Sequence, residues 1–207
     1  MVIQTKLIAG IDEAGRGPVI GPMVVAGIAI YEKDEANLLE LGVKDSKKLS
    51  YKKREELYEK IIKIVKYHIE VIDAETIDKE RKKKNLNDIE IDLIIKIINK
   101  LKPDVVQIGS PDINIKNFVN KIIMKVKNIQ IISVHHAESI FPTVAAASIL
   151  AKVTRDRIIE NLKKIYGDFG SGYPSDPKTK DFILNAVKKG EIPNIIRKSW
   201  KTYINLI

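Results

Sequence analysis

Two adjacent carboxylates, Asp12 and Glu13, follow the segment Lys6–Ile11 and precede Ala14-Gly15-Arg16-Gly17-Pro18. The apolar segment reads as a buried strand ending at Asp12. Neighbouring residues on a strand point to opposite faces, so one carboxylate is expected at the sheet surface and the other at its end. Charges leaving a buried strand are costly unless a cation or hydrogen-bond donors offset their desolvation. Carboxylate oxygens suit hard divalent cations. A purely structural reading stands beside this one, in which Asp12 caps a turn and Arg16 pairs with Glu13. The glycines at 10, 15, 17 and 21 do not form GxGxxG, and no GK[ST] follows. With a strand rather than a helix coming next, a dinucleotide or P-loop site is disfavoured. Gly15 and Gly17 instead let a backbone approach a ligand closely.

The rest of the chain narrows the chemistry. The absence of cysteine excludes a disulfide framework and any Cys-ligated zinc or iron–sulfur site. Of the three histidines, His68, His135 and His136, two are adjacent, a poor spacing for a shared metal. Hard metals held by carboxylates remain open. The net charge is +9, and from Ala151 onward twelve Lys and Arg face six Asp and Glu, a net +6. That excess suits a phosphate backbone and equally a lysine-rich solvated surface. The start, MVIQTKLIAGIDEAG, has no signal-peptide pattern, and no apolar run reaches ~18 residues. A cytoplasmic protein is expected.

Positioning these residues requires a sheet. Met23–Tyr31 reads as a second strand and His68–Ile72 as a third; Val105–Ile108 and Ile129–Val134 complete five. Helices are expected over Ser50–Val65, from an Asn87 cap with Glu90 to a stop at Pro103, over Ile115–Val126, from Pro142 to about Ile165, and over 177–189 between Asp176-Pro177 and Gly190. The charged run Lys79–Lys84 reads as an exposed helix end or loop. Early strands follow one another directly and later ones alternate with helices. This order predicts an α/β fold: a mixed five-stranded sheet flanked by helices, with a C-terminal helical appendage.

Five ordered blocks carry a family resemblance: GIDEAGRGPVIGPMVVAG, Val43–Ser50 (VKDSKKLS), Ala145–Arg157 (AAASILAKVTRDR), Gly170–Thr179 (GSGYPSDPKT) and Arg197–Thr202 (RKSWKT). Together they resemble ribonuclease HII of the archaeal type across nearly the whole chain. The resemblance implies an RNase H-like catalytic core over residues 1–167 with a helical extension over 168–207, and a monomer. It implies a metal-dependent endonuclease with two Mg²⁺ or Mn²⁺ ions. Its substrates would be RNA–DNA hybrids and duplex DNA carrying single ribonucleotides, cut 5′ to the ribonucleotide to leave 5′-phosphate and 3′-hydroxyl ends.

Residue by residue, Asp12 matches the family's central metal ligand and Glu13 the adjacent carboxylate. Gly15, Arg16 and Gly17 match the loop that senses the 2′-hydroxyl at an RNA–DNA junction, the group that distinguishes RNA from DNA. Tyr173 matches the tyrosine that packs there; taken alone it is a turn aromatic between Gly172 and Pro174. Ser46 and Lys47 fit phosphate contacts, or a solvated loop before the Ser50 cap. Asp156 fits a supporting role or an ion pair along its own helix.

Two carboxylates depart from the family pattern. In Val105-Val106-Gln107-Ile108-Gly109-Ser110-Pro111-Asp112, glycine occupies the expected ligand position and Asp112 follows three residues later. An odd offset reverses the face of a strand, whereas a turn at Ser110-Pro111 would swing Asp112 back. After the fifth strand the family's His-Lys-Ala-Asp is replaced by His135-His136-Ala137-Glu138, in which Glu138 keeps the charge and adds a methylene. The expected catalytic and metal set is therefore Asp12, Glu13, Glu138 and Asp112. A hybrid-binding protein with weakened or lost catalysis, because of Gly109, is the competing expectation.

Overall fold

The computed structural model describes residues 5–43 and 49–207, so Asp45, Ser46, Lys47 and Lys48 lie outside the described residues. Five strands, β1 (Leu7–Ala14), β2 (Met23–Tyr31), β3 (Lys66–Ile72), β4 (Val105–Gly109) and β5 (Gln130–Val134), form one mixed sheet in the order β3-β2-β1-β4-β5. β1 is parallel to β4, with Ile8 opposite Val105 and Gly10 opposite Gln107, and β4 is parallel to β5, with Gly109 opposite Val134. β2 is buried from Met23 to Ile30, which explains its continuous apolar run: a strand covered on both faces has no polar side to alternate.

Among the described residues the helices are α1 (Ala36–Glu40), α2 (Tyr51–Ile61), α3 (Ala74–Arg81), α4 (Leu86–Leu101), α5 (Ile115–Ile123), α6 (Pro142–Tyr166), α7 (Pro177–Lys189) and α8 (Lys201–Ile204). Several of them start at side-chain caps. Ser50 accepts from the Lys53 N–H at 3.3 Å, Asp73 from Thr76 at 2.7 Å and Asn114 from Asn117 at 3.0 Å. Asp176 caps α7 with Pro177 at its first position, and Gly190 ends it in a left-handed conformation.

Several expectations are corrected. β1 continues past Asp12 to Ala14, so both carboxylates are strand residues. Asn85, rather than Asn87, caps α4 by accepting the Asp88 N–H at 3.0 Å. The asparagine pair two residues apart made either register available, and the burial of Ile89, Ile91 and Ile98 is compatible with both. Helix α3, unread in the sequence, has only Ala74 and Ile77 buried, too few apolar positions to show a period.

The chain forms two compact units. The first comprises residues up to Glu13, Val25–Glu70 and Glu90–Val153; the second comprises Ala14–Val24, Val71–Ile89 and Thr154–Ile207. This partition is discontinuous in sequence and differs from a single cut after residue 167. The second unit has its own apolar core of Val19, Ile20, Ile159, Phe169, Ile183 and Ile196. There the Phe169 and Phe182 rings meet at 5.7 Å between centroids.

Within the first unit one close approach sets the site. A Cβ at Gly10 would lie 2.2 Å from the Thr143 carbonyl carbon and 2.4 Å from the Val144 nitrogen. Only glycine lets the first turn of α6 rest on β1. The Thr143 hydroxyl donates to the side-chain oxygen of Gln107, the residue opposite Gly10. Gly109, in contrast, is spacious: a Cβ there meets only the Ala137 Cβ at 3.9 Å. In thermal unfolding, Gly10→Ala is expected to cost about 1–3 kcal/mol or more through overpacking, about 2–4 °C per kcal/mol in a chain of this size. Gly109→Ala is expected to stay within about 0.5 kcal/mol of the parent.

Candidate active site

The contact at Gly10 brings α6 over the end of β1. Asp12 lies two residues beyond Gly10 and so on the same face of the strand, an advance of about 6.6 Å. Five residues along a helix advance about 7.5 Å, which carries α6 from Thr143 to Ser148. The Ser148 side chain hydrogen-bonds the Asp12 carboxylate, and its hydroxyl is the donor in that pair.

Asp12 is held well above the usual carboxylate range. Withdrawal from water is the main cause, followed by the charge of Glu13 and then that of Glu138; the Ser148 hydrogen bond and the Glu13 backbone N–H oppose them. Glu13 and Glu138 thus both lie within electrostatic reach of Asp12. Glu138 arrives from the short 3-10 turn Ala137–Ser139 after β5, entered through His136 in a left-handed conformation (φ 56°). That turn follows the pairing of Ser110 N–H with the Val134 carbonyl at 3.1 Å.

Asp112 lies in the turn that follows β4. Its carboxylate accepts the Asn114 N–H at 3.0 Å, and its backbone is bound on both sides by the Ser110 hydroxyl, at 2.9 and 3.2 Å. These bonds shape the turn from β4 into α5. His135 is exposed and its ring Nδ1 sits 3.3 Å from the Ser110 carbonyl, so it fastens the same turn.

This donor set fits a hard divalent cation. The side chains offer carboxylate oxygens, and the repulsion of Asp12 by Glu13 and Glu138 together with its dehydration is what a cation would relieve. Among the described residues no three His, Asp or Glu side chains stand close enough together to hold a metal ion by themselves. Mg²⁺ in particular keeps several waters and binds through one or two carboxylates, so an open arrangement suits it.

The second unit carries the glycine loop. Gly15 adopts φ 86°, and a Cβ there would lie 2.3 Å from the Arg155 Nε. The conformation and the close approach both demand glycine. Gly17 is exposed beside Tyr173, whose ring carbon lies 3.7 Å from where a Gly17 Cβ would be. The Tyr173 ring also faces the Arg155 guanidinium at 5.8 Å, and Asp156 acts electrostatically on that guanidinium. Arg16 donates a side-chain hydrogen bond to the Asn87 side-chain oxygen. With Asn85 as the cap of α4, Asn87 in its first turn faces the loop. Ser148 is marked in the sequence only by a hydroxyl in an otherwise small and apolar run, AAASILA.

The ribonuclease HII family profile matches residues 9–203. The chain is similar to ribonuclease HII of Methanococcus maripaludis strain C5, with 48% identity over 209 residues covering 98% of this chain and 87% of the relative. Ribonuclease HII of Thermococcus sibiricus is 50% identical over 200 residues, covering 94% and 88%. Among solved structures, the ribonuclease H2 from Pyrococcus horikoshii OT3 superposes with a TM-score of 0.91 at 40% identity, covering 97% of this chain and 96% of that one. The structure of the PCNA:RNase HII complex from Archaeoglobus fulgidus matches with a TM-score of 0.89 at 44% identity, covering 94% and 95%.

The raised pKa of Asp12 fixes the sign of a pH effect. A carboxyl whose folded pKa exceeds its unfolded value of about 3.9 favours the fold while protonated. That contribution is full below the unfolded value and is lost as pH rises through the folded one. Asp12→Asn is therefore expected to raise the unfolding midpoint of the metal-free protein at pH 7–8 and to leave it unchanged below pH 4. In the parent, Mg²⁺ or Mn²⁺ at about a hundredfold over Kd is expected to add about 2.7 kcal/mol. Most of that increment should vanish in the variant.

Proposed function

The chain belongs to the ribonuclease HII family and is a ribonuclease H enzyme; from that membership and the carboxylates around Asp12 we propose that it cuts duplex DNA 5′ to embedded ribonucleotides and the RNA strand of RNA–DNA hybrids. The observation that carries the reading is the like-charge cluster of Asp12, Glu13 and Glu138, with Asp12 withdrawn from water. A hydrolase that needs Mg²⁺ or Mn²⁺ is the economical use of so strained an arrangement.

In this reading Asp12, Glu13 and Glu138 hold the metal. When bound, the ions supply activation of the attacking water and charge neutralisation at the leaving 3′-oxygen. Ser148 fixes the Asp12 carboxylate, leaving its other lone pairs for ligation. Asp112 serves its turn, and the ligand position at Gly109 passes to water. Gly15, Arg16 and Gly17 meet the ribonucleotide, Tyr173 packs at the junction, and Ser46 and Lys47 contact the phosphate backbone. Loss of a ligand at Gly109 favours Mn²⁺, because Mg²⁺ demands near-ideal octahedral geometry. The enzyme acts as a monomer, in the cytoplasm.

The test is cleavage of a labelled DNA duplex carrying one ribonucleotide, in Mg²⁺ and separately in Mn²⁺. A single cut 5′ to the ribonucleotide is expected, lost in Asp12→Asn. Binding without cleavage in either metal would overturn the catalytic reading and favour the hybrid-binding one. Gly109→Asp is expected to raise the rate in Mg²⁺ more than in Mn²⁺; an unchanged rate and metal preference would sink the role given to Gly109.

A further inference from the structure

The second unit contains a fully buried arginine for which the catalytic reading has no use. Arg197 has no exposed surface, and its guanidinium is spent on one loop. Nη2 donates to the Gly15 carbonyl at 2.7 Å, Nη1 to Arg16 at 3.2 Å and Nε to Gly21 at 2.9 Å. Its backbone N–H reaches the Val19 carbonyl at 2.8 Å. Trp200, stacked at 4.7 Å under the guanidinium, donates its indole N–H to the Gly17 carbonyl at 3.1 Å. The turn carrying both residues is pinned by Asp78 of α3, which accepts from the Lys198 and Ser199 N–H groups at 2.7 and 3.0 Å and from the Ser199 hydroxyl at 2.6 Å.

The direction of these bonds matters. Every described peptide is trans, and in a planar trans peptide the C=O and the following N–H point opposite ways. With the Gly15 and Arg16 carbonyls turned onto Arg197, the N–H groups of Arg16 and Gly17 point away from it. Gly17 is exposed, and Pro18 ends the row because it has no N–H. The loop thus shows donors on one side and no competing carbonyl from these peptides. A rigid planar fork holds three separated carbonyls in fixed directions, whereas an ammonium offers its donors from a single point. The arrangement is costly: burial and the neighbouring Arg155 push Arg197 down to about 9, against weaker help from Asp78.

We propose that Arg197 and Trp200, held by Asp78, are positioning residues that preset the 15–17 loop and so determine how strongly the enzyme prefers a ribonucleotide over a deoxyribonucleotide. This rests on the reading that the loop meets the ribonucleotide. A merely structural role would move stability alone; a positioning role moves recognition of the ribose in protein that is still folded.

The experiment compares the parent, Arg197→Lys and Trp200→Phe. For each, kcat and KM are measured on a duplex with one ribonucleotide, Kd on the all-DNA duplex of the same sequence, and the unfolding midpoint. In folded protein Arg197→Lys is expected to lose at least about tenfold in kcat/KM, because small displacements of a positioned group cost up to about a hundredfold. Trp200→Phe, which keeps an aromatic face under the guanidinium and loses the indole hydrogen bond, is expected to lose about threefold. Affinity for the all-DNA duplex should change by less than about twofold in both. If Arg197→Lys does not fold, Trp200→Phe decides. Parental kcat/KM in the folded variants, or an equal loss of all-DNA affinity, overturns the proposal while leaving the enzyme's function intact. A parent that does not cut the ribonucleotide duplex overturns the functional reading, and the proposal with it.

Discussion

Repulsion among carboxylates is the constraint around which the first unit is built. Asp12 is withdrawn from water beside Glu13 and Glu138, an arrangement that opposes folding when no cation is bound. The fold must therefore be held by something else, and it is held by apolar close packing. β2 is buried along nearly its whole length, and residues Val144 to Ala151 of α6 are nearly all buried. Gly10 lets α6 settle directly on the sheet, so the hydroxyl of Ser148 arrives where the charge is worst. The same glycine serves packing and chemistry, and neither role is separable from the other.

The second unit solves the opposite electrostatic problem. It buries two guanidiniums, Arg155 and Arg197, each only partly countered by a nearby acid, Asp156 for one and Asp78 for the other. Their bonding partners are main-chain carbonyls: Pro22 for Arg155, and Gly15, Arg16 and Gly21 for Arg197. Carbonyl oxygens satisfy a guanidinium's geometry without cancelling its charge. One unit thus concentrates negative charge on side chains, and the other keeps positive charge beneath a backbone loop.

Much of this was legible in the sequence, for definite reasons. The sheet, its mixed character and the long helices follow from apolar period and from caps such as Ser50 and Asp176. The carboxylate pair at Asp12 and Glu13 was visible because charge at the end of an apolar strand is anomalous. What stayed hidden depends on direction rather than on residue type. Asn85 and Asn87 are chemically equal, and only the backbone shows that one caps α4 while the other meets Arg16. Strand parity alone could not place Asp112; the Ser110 hydroxyl, bonded to its backbone on both sides, settles the turn. Arg197 reads as one more cation in a basic tail, because nothing in the residue sequence reveals that three carbonyls converge on it.

Gly109 has a consequence for how this lineage can change. Every glycine codon lies a single base from a codon for aspartate or glutamate, so a carboxylate at this position is one mutational step away. The neighbourhood is open, with only the Ala137 methyl in contact range of a new Cβ. The backbone at this position sits in an ordinary strand pairing with Val134, so no left-handed conformation demands glycine. A carboxylate at position 109 could thus be introduced without a clash at its Cβ, because the local shape does not require glycine.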